Sequence, residues 1–100
     1  MTKNLSNIPH RYREDIKRAI TILKEAGCKE VFLFGSIAEG DIEETSDIDL
    51  AIRGCPQGMF FRLLGKLMLE LNHSVDLIDL DKQKDFGEYL EKEGPLLHVA

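Results

Sequence analysis

The sequence predicts one small α/β domain of the layered α+β kind, a small mixed β-sheet covered by helices. Two observations predict it. Stretches with apolar residues at helical spacing alternate along the chain with short apolar runs rich in β-formers. And 100 residues, 43% of them hydrophobic, suffice for one small domain and leave no room for a second, so residues 1–100 read as a single domain.

The elements follow in order. Asn7 and Pro9 offer a capping side chain and a preset φ for a first helix. Tyr12, Ile16, Ala19, Ile20, Leu23 and Ala26 form its apolar stripe, and Gly27 is a natural stop. Val31-Phe32-Leu33-Phe34 reads as a buried strand that ends at Gly35-Ser36. Residues 35–47 form a connection too long for a turn, and such loops in compact domains are usually functional. Ile48 to Arg53 is a second strand, broken by Gly54, Pro56 and Gly58. Met59 to Leu71 is an apolar helix, with Phe60, Leu63, Leu64, Leu67, Met68 and Leu71 on a broad face. Gly65 in its middle suggests a close helix approach, because it weakens a helix by about 1 kcal/mol against Ala. Val75 to Leu80 is a third strand. Asp81 is placed to cap a last helix that runs through Lys92 on Phe86, Tyr89 and Leu90. Gly94-Pro95 ends it, leaving Leu96 to Val99 as a short edge strand.

Charge narrows the function classes. Lys plus Arg number 13 and Asp plus Glu 18, a net charge of −5 that argues against general nucleic-acid binding. The imbalance is local: no Lys or Arg lies between Lys29 and Arg53, while Glu39, Asp41, Glu43, Glu44, Asp47 and Asp49 crowd together. No apolar stretch approaches bilayer-spanning length and no signal peptide is evident, so a cytoplasmic protein with no membrane partner is expected. Cys28 and Cys55 have no CxxC spacing and are expected as two reduced thiols.

Three features bear on chemistry. Gly35-Ser36 directly follows a strand, with Gly40 beyond. A turn of this kind brings backbone N–H groups close to an anion, although a plain turn with a capping serine has the same sequence. Asp47 and Asp49 in Asp47-Ile48-Asp49-Leu50 are two apart, so on a strand they share one face, about 6.6 Å apart. Like charges brought to 4 Å repel by about 4 kcal/mol at an effective dielectric near 20. With no cation nearby in sequence, a divalent metal is the natural counterion, and solvation at a strand start is the alternative. Asp76 sits inside the apolar Val75-Asp76-Leu77-Ile78. Beside the second strand it would join Asp47 and Asp49. Three hard carboxylates suit two Mg²⁺ ions about 3.5–4 Å apart, the arrangement that clamps an in-line displacement at phosphorus. Asp79 is a rival, but it falls on the opposite face of an ideal strand.

Phe34-Gly35-Ser36, ten residues, Asp47-Ile48-Asp49-Leu50 and then Val75-Asp76-Leu77 together resemble the signature of the DNA-polymerase-β-like nucleotidyltransferases. The short chain and the ending Glu93-Gly94-Pro95-Leu96-Leu97 are most similar to the minimal nucleotidyltransferases, a resemblance that spans roughly residues 12–97. The resemblance implies the nucleotidyltransferase fold, with Gly35 and Ser36 holding a nucleoside triphosphate such as ATP. It implies that Asp47 and Asp49 bind nucleotide and metal, with two Mg²⁺ ions. Asp76 would complete the metal site and take the acceptor proton. It further implies a partner HEPN-domain protein in a toxin–antitoxin pair, with AMP transferred to a tyrosine of the toxin. One position departs from the pattern. Glu39 in Ser36-Ile37-Ala38-Glu39-Gly40 stands where the family often carries a basic residue, so it must turn to solvent or meet a cation; Arg53 and Lys66 are candidates to replace the missing charge.

Other features are read structurally. His10, His73 and His98 lack ligand spacing and read as surface or helix-end residues. The alternating charges of Lys82, Lys84, Asp85, Glu88, Glu91 and Lys92 read as a solvated helix face. No nucleophile elbow, Walker lysine or EF-hand loop occurs. Two functions of different class remain: a Mg²⁺-dependent enzyme, and a weakly catalytic or non-catalytic subunit that masks a partner protein. Self-association through the apolar helix is left open.

Overall fold

The computed structural model describes residues 8–40, 42, 46–94 and 96–100. Among these residues, four helices and four strands follow one another as α1 (His10–Glu25), β1 (Glu30–Phe34), α2 (Gly35–Glu39), β2 (Ile48–Arg53), α3 (Phe60–Glu70), β3 (Val75–Asp79), α4 (Lys84–Glu93) and β4 (Leu97–His98). The sheet order is β3-β2-β1-β4. β1 is antiparallel to β2 and to β4, whereas β2 and β3 are parallel, with α3 as the crossover that a parallel pair requires. The expected mixed sheet is therefore present, including its short C-terminal edge strand.

The sheet separates two cores. One face carries Val31, Leu33, Ile48, Leu50, Ile52 and Leu77 against Tyr12, Ile16, Ala19 and Leu23 of α1 and Leu63 and Leu67 of α3. The other face carries Phe32, Phe34, Ala51, Ile78 and Leu80 against Leu90 of α4. Strand alternation thus assigns each residue of β2 and β3 to a layer.

Local chemistry sets the boundaries. α1 begins where the Pro9 carbonyl accepts the Tyr12 and Arg13 N–H groups, and it ends before Gly27 at φ 104°. The proposed Asn7 cap lies outside the described residues. Asp81 does not cap α4, which begins at Lys84 behind Gln83. Its carboxylate instead accepts the Gly54 N–H at 2.7 Å, while its own N–H donates to Asp79 Oδ1. The Lys82 and Gln83 N–H groups both turn back to the Asp79 carbonyl, so an extra turn separates β3 from α4.

Two further expectations are corrected, for the cysteines and for Gly65. Cys28 and Cys55 are not free thiols but a disulfide, with Cα atoms 3.9 Å apart. The antiparallel ladder pairs Glu30 with Arg53, and continuing it outward brings Cys28 level with Cys55. Gly65 marks no close approach, since a Cβ there would meet nothing within 4 Å. The apolar face of α3 is only partly covered: Leu63 and Leu67 are buried, while Phe61, Met68 and Leu69 stand out at 82%, 64% and 88% exposure. Among the described residues no helix is long and apolar enough to cross a membrane.

Candidate active site

The site forms where β1 ends and β2 begins. The run Val31–Phe34 stops because Gly35 takes φ 72°, a left-handed conformation that turns the chain straight into α2. α2 is one short turn, pinned by buried Ile37 and closed by Gly40 at φ 83°. Ser36 is half-buried on this turn.

The antiparallel register sets Phe34 opposite Asp49. Gly35 is thereby brought against the Asp49 carboxylate. A Cβ on Gly35 would overlap Oδ2 of Asp49 and lie 3.0 Å from its Cγ. Only a residue without a side chain leaves that carboxylate its seat. Gly35-Ser36 and the Asp-x-Asp strand, fourteen positions apart at Gly35 and Asp49, therefore meet as the sequence suggested.

The parallel register sets Asp49 level with Asp76. Both alternate away from Ile48, Leu50 and Leu77 of the first core, so they emerge on the face of Ala51 and Ile78. Asp47 is exposed just before β2, two residues from Asp49. Asp49 is half-buried and its pKa is pushed up to about 6, first by burial and then by the charges of Asp76 and Asp47. Asp49 thus feels both neighbouring carboxylates and retains its proton well above the usual carboxylate range. Asp79 is excluded as a member. It lies opposite Ile52, toward the other end of the ladder, and accepts the Asp81 N–H.

A divalent cation fits this donor set. The donors are hard oxygens, repulsion among them is already expressed at Asp49, and a bound cation reverses it. Among the described residues, however, no three His, Cys, Asp or Glu side chains converge tightly enough to form a ready-made cage. Asp49 and Asp76 would form the floor of such a site, with exposed Asp47 beside them, two residues along the chain from Asp49.

Neither candidate substitute cation reaches the site. Arg53 is four residues along β2, about 13 Å from Asp49 by strand rise, and pairs with Glu30 at 3.6 Å and Glu91 at 3.0 Å. Lys66 lies on α3, 3.9 Å from Glu70. Glu39 faces solvent at the end of α2. Asp41, Glu43 and Glu44 lie outside the described residues. Two clefts of about 350 and 380 Å³, lined by Phe60, Asp79 and Lys82 among others, lie beyond the far end of β2.

One set of residues escaped the sequence reading. His73 is not a surface residue: its ring stacks on fully buried Tyr12 with centroids 4.1 Å apart. Its Nδ1 lies 2.6 Å from Oδ2 of buried Asp15. That carboxylate also accepts the backbone N–H groups of Asn72 and His73, so Nδ1 carries the proton and donates. A sequence signal existed, since Asp15 interrupts the apolar stripe of α1 between Tyr12 and Ile16.

Comparison with known proteins agrees with this geometry. The profile of the family described as "Polymerase beta, Nucleotidyltransferase" matches residues 17–99. Among solved structures, the chain is similar to one described as a toxin–antitoxin with AMP-PNP: 24% identity, TM-score 0.66, covering 92% of this chain and 75% of the other. It is also similar to two mutant forms of the MntA–HpeT toxin–antitoxin. One has 23% identity and TM-score 0.65 over 84% of this chain and 73% of that one. The other has 25% identity and TM-score 0.64 over 85% and 72%. No curated protein matches. The fold is shared with these structures, and the family profile spans most of the chain, including every carboxylate of the site. The chain belongs to the polymerase-β-type nucleotidyltransferase family.

Proposed function

We propose that the chain transfers AMP from ATP to a hydroxyl group of a partner protein, with Mg²⁺, and serves as the antitoxin of a toxin–antitoxin pair. The observation that carries this reading is the meeting of Gly35, Asp49 and Asp76 at one end of the β1-β2-β3 ladder in a chain of this family.

Gly35 and Ser36 present backbone N–H groups to the triphosphate. Asp47, Asp49 and Asp76 hold the divalent ions, two Mg²⁺ by the family pattern. When bound, those ions neutralise phosphate charge and steady the attacking and leaving oxygens. Exposed Asp76, level with Asp49, accepts the proton of the acceptor hydroxyl. The acceptor oxygen forms a bond to the α-phosphorus, the bond from that phosphorus to the bridging oxygen breaks, and pyrophosphate leaves. The chain's contribution is position and charge rather than covalent chemistry. A toxin partner is supported by the likeness to structures described as toxin–antitoxin complexes. We assign it to the HEPN class, with a tyrosine as acceptor.

A second reading, masking of the partner without transfer, is favoured by exposed Glu39 on the triphosphate side and by the bare Phe61, Met68 and Leu69 ridge. One experiment separates the two. The chain and the product of its neighbouring reading frame are incubated with α-labelled ATP and Mg²⁺. Label on the partner, absent with Asp49→Asn, supports transfer. No label with any of the four nucleotides, while Asp49→Asn still protects cells from the partner, establishes masking.

A further inference from the structure

We propose that Tyr12 and Asp15 of α1 are positioning residues, which hold the starts of β2 and β3 in place and thereby set the spacing between Asp47, Asp49 and Asp76. The proposal rests on the reading of those three carboxylates as the metal-holding group.

Tyr12 and Asp15 are three residues apart and so neighbours on one helix face. Each reaches the segment just before a different strand. The Tyr12 hydroxyl donates to the Ser46 carbonyl at 2.9 Å, one residue before Asp47. Asp15 accepts the Asn72 N–H at 2.8 Å and the His73 N–H at 2.9 Å, on the segment that leads into β3 and Asp76. The two arms are joined. His73 donates its Nδ1–H to Asp15 and stacks on Tyr12, and the Ile48 N–H donates to the Ser74 carbonyl. The result is a closed ring of contacts: Tyr12, Ser46, Ile48, Ser74, His73, Asp15 and back to α1.

This ring is expensive unless it is useful. Asp15 is 4% exposed and Tyr12 fully buried. Buried charge is retained where it is paired and hydrogen-bonded, and here it is spent on two backbone N–H groups and one imidazole. A leucine at position 15 would fit the apolar stripe of α1 but could not hold the turn before β3. Carboxylates that repel one another need such support, because their backbone otherwise relaxes to separate them. Groups hydrogen-bonded directly to metal ligands are worth about 10–100-fold in metal affinity; Tyr12 and Asp15 act one step further out, through the backbone before Asp47 and Asp76, so a smaller effect is expected.

The test uses the full chain and two readouts. Tyr12→Phe keeps the ring and its stack on His73 but removes the hydroxyl; Asp15→Asn keeps the shape but removes the charge. Ile22→Val, a core change elsewhere on α1, serves as the control for general loss of stability. Amide hydrogen exchange is followed at Ile48 and Asp76, and Mn²⁺ affinity is measured by paramagnetic resonance, with and without ATP. We expect Tyr12→Phe and Asp15→Asn to speed exchange at these two amides selectively and to weaken Mn²⁺ binding about fivefold, below the effect of losing a direct partner of a ligand, with excess Mn²⁺ restoring ATP binding. Ile22→Val should change exchange evenly and leave Mn²⁺ affinity within twofold. Exchange in Tyr12→Phe and Asp15→Asn that matches Ile22→Val overturns the proposal, as does unchanged Mn²⁺ affinity despite local loosening. The metal reading itself fails differently: wild-type chain then binds Mn²⁺ no better than Asp49→Asn, and the positioning role falls with it.

Discussion

Gly35 and Asp49 compete for the same space: any side chain on Gly35 would begin inside the volume of the Asp49 carboxylate. The glycine is thus specified twice, once by its φ of 72° and once by its neighbour across the ladder.

Gly35→Ala should fail on both counts. The left-handed conformation costs about 1–2 kcal/mol for a residue with a Cβ, and the carboxylate must leave its seat. A displacement of about 1 Å at a reacting centre lowers rate about 100-fold. Urea unfolding and label-transfer rates check this. A Gly35→Ala protein that retains wild-type transfer would show that the carboxylate's seat is not the working position.

Asp49 makes stability fall as pH rises. Its folded pKa, about 6, lies above the ordinary 3.8, so the folded state holds its proton more tightly than the unfolded chain does. The stability it contributes is present below about pH 4 and is lost as pH rises through 6. Asp49→Asn should therefore be more stable than wild type at pH 7.5, with the difference vanishing near pH 4, while transfer is abolished. Unfolding curves at both pH values measure it. For the same reason Mg²⁺ affinity should climb between pH 5 and 7, since the ion must displace that proton. Calorimetry in buffers of different ionisation heat would detect the proton released.

Gly65→Ala should stabilise the protein. The position is inside α3 and a Cβ there meets open space. Alanine is favoured over glycine in a helix interior by about 0.8–1 kcal/mol. A rise of several degrees in Tm, without change in nucleotide binding, is the expected result. A loss of stability would mean that something covers this flank.

Opening the Cys28–Cys55 bond should weaken the fold without touching the site. The bridge spans a sequence separation of 27, for which chain entropy alone gives about 3–4 kcal/mol. Cys55→Ser, or the wild type under reducing agent, should unfold at correspondingly lower urea, and Mg²⁺ binding below the transition should be unchanged.

Much of the fold is legible in one sequence because it is written in local periodicity. β2 runs from Ile48 to Arg53 as its apolar pattern requires, and α3 differs from expectation by one residue at each end. Alternation alone placed Asp79 off the site. What stays hidden depends on segments that meet only in space. Asp15 and Asn72 are 57 residues apart, so the role of His73 needs the packing of α1 against the segment that joins α3 to β3. Cys28 and Cys55 need the β1-β2 register. The Asp81 cap fails because the distant Gly54 N–H claims the same carboxylate first.

The level pairing of Asp49 with Asp76 has a last consequence, for errors in folding. Side chains alternate across a sheet, so a one-residue slip of β3 against β2 would send Asp76 into the layer of Leu77 and bring Leu77 out beside Asp49. A carboxylate would be buried among Leu50, Leu63 and Leu67 with nothing there to receive it. A chain with a misassembled centre is thereby also a chain with a spoiled interior. The hydrophobic layer works as a proofreader, and molecules that stay folded are those whose acidic residues already stand in line.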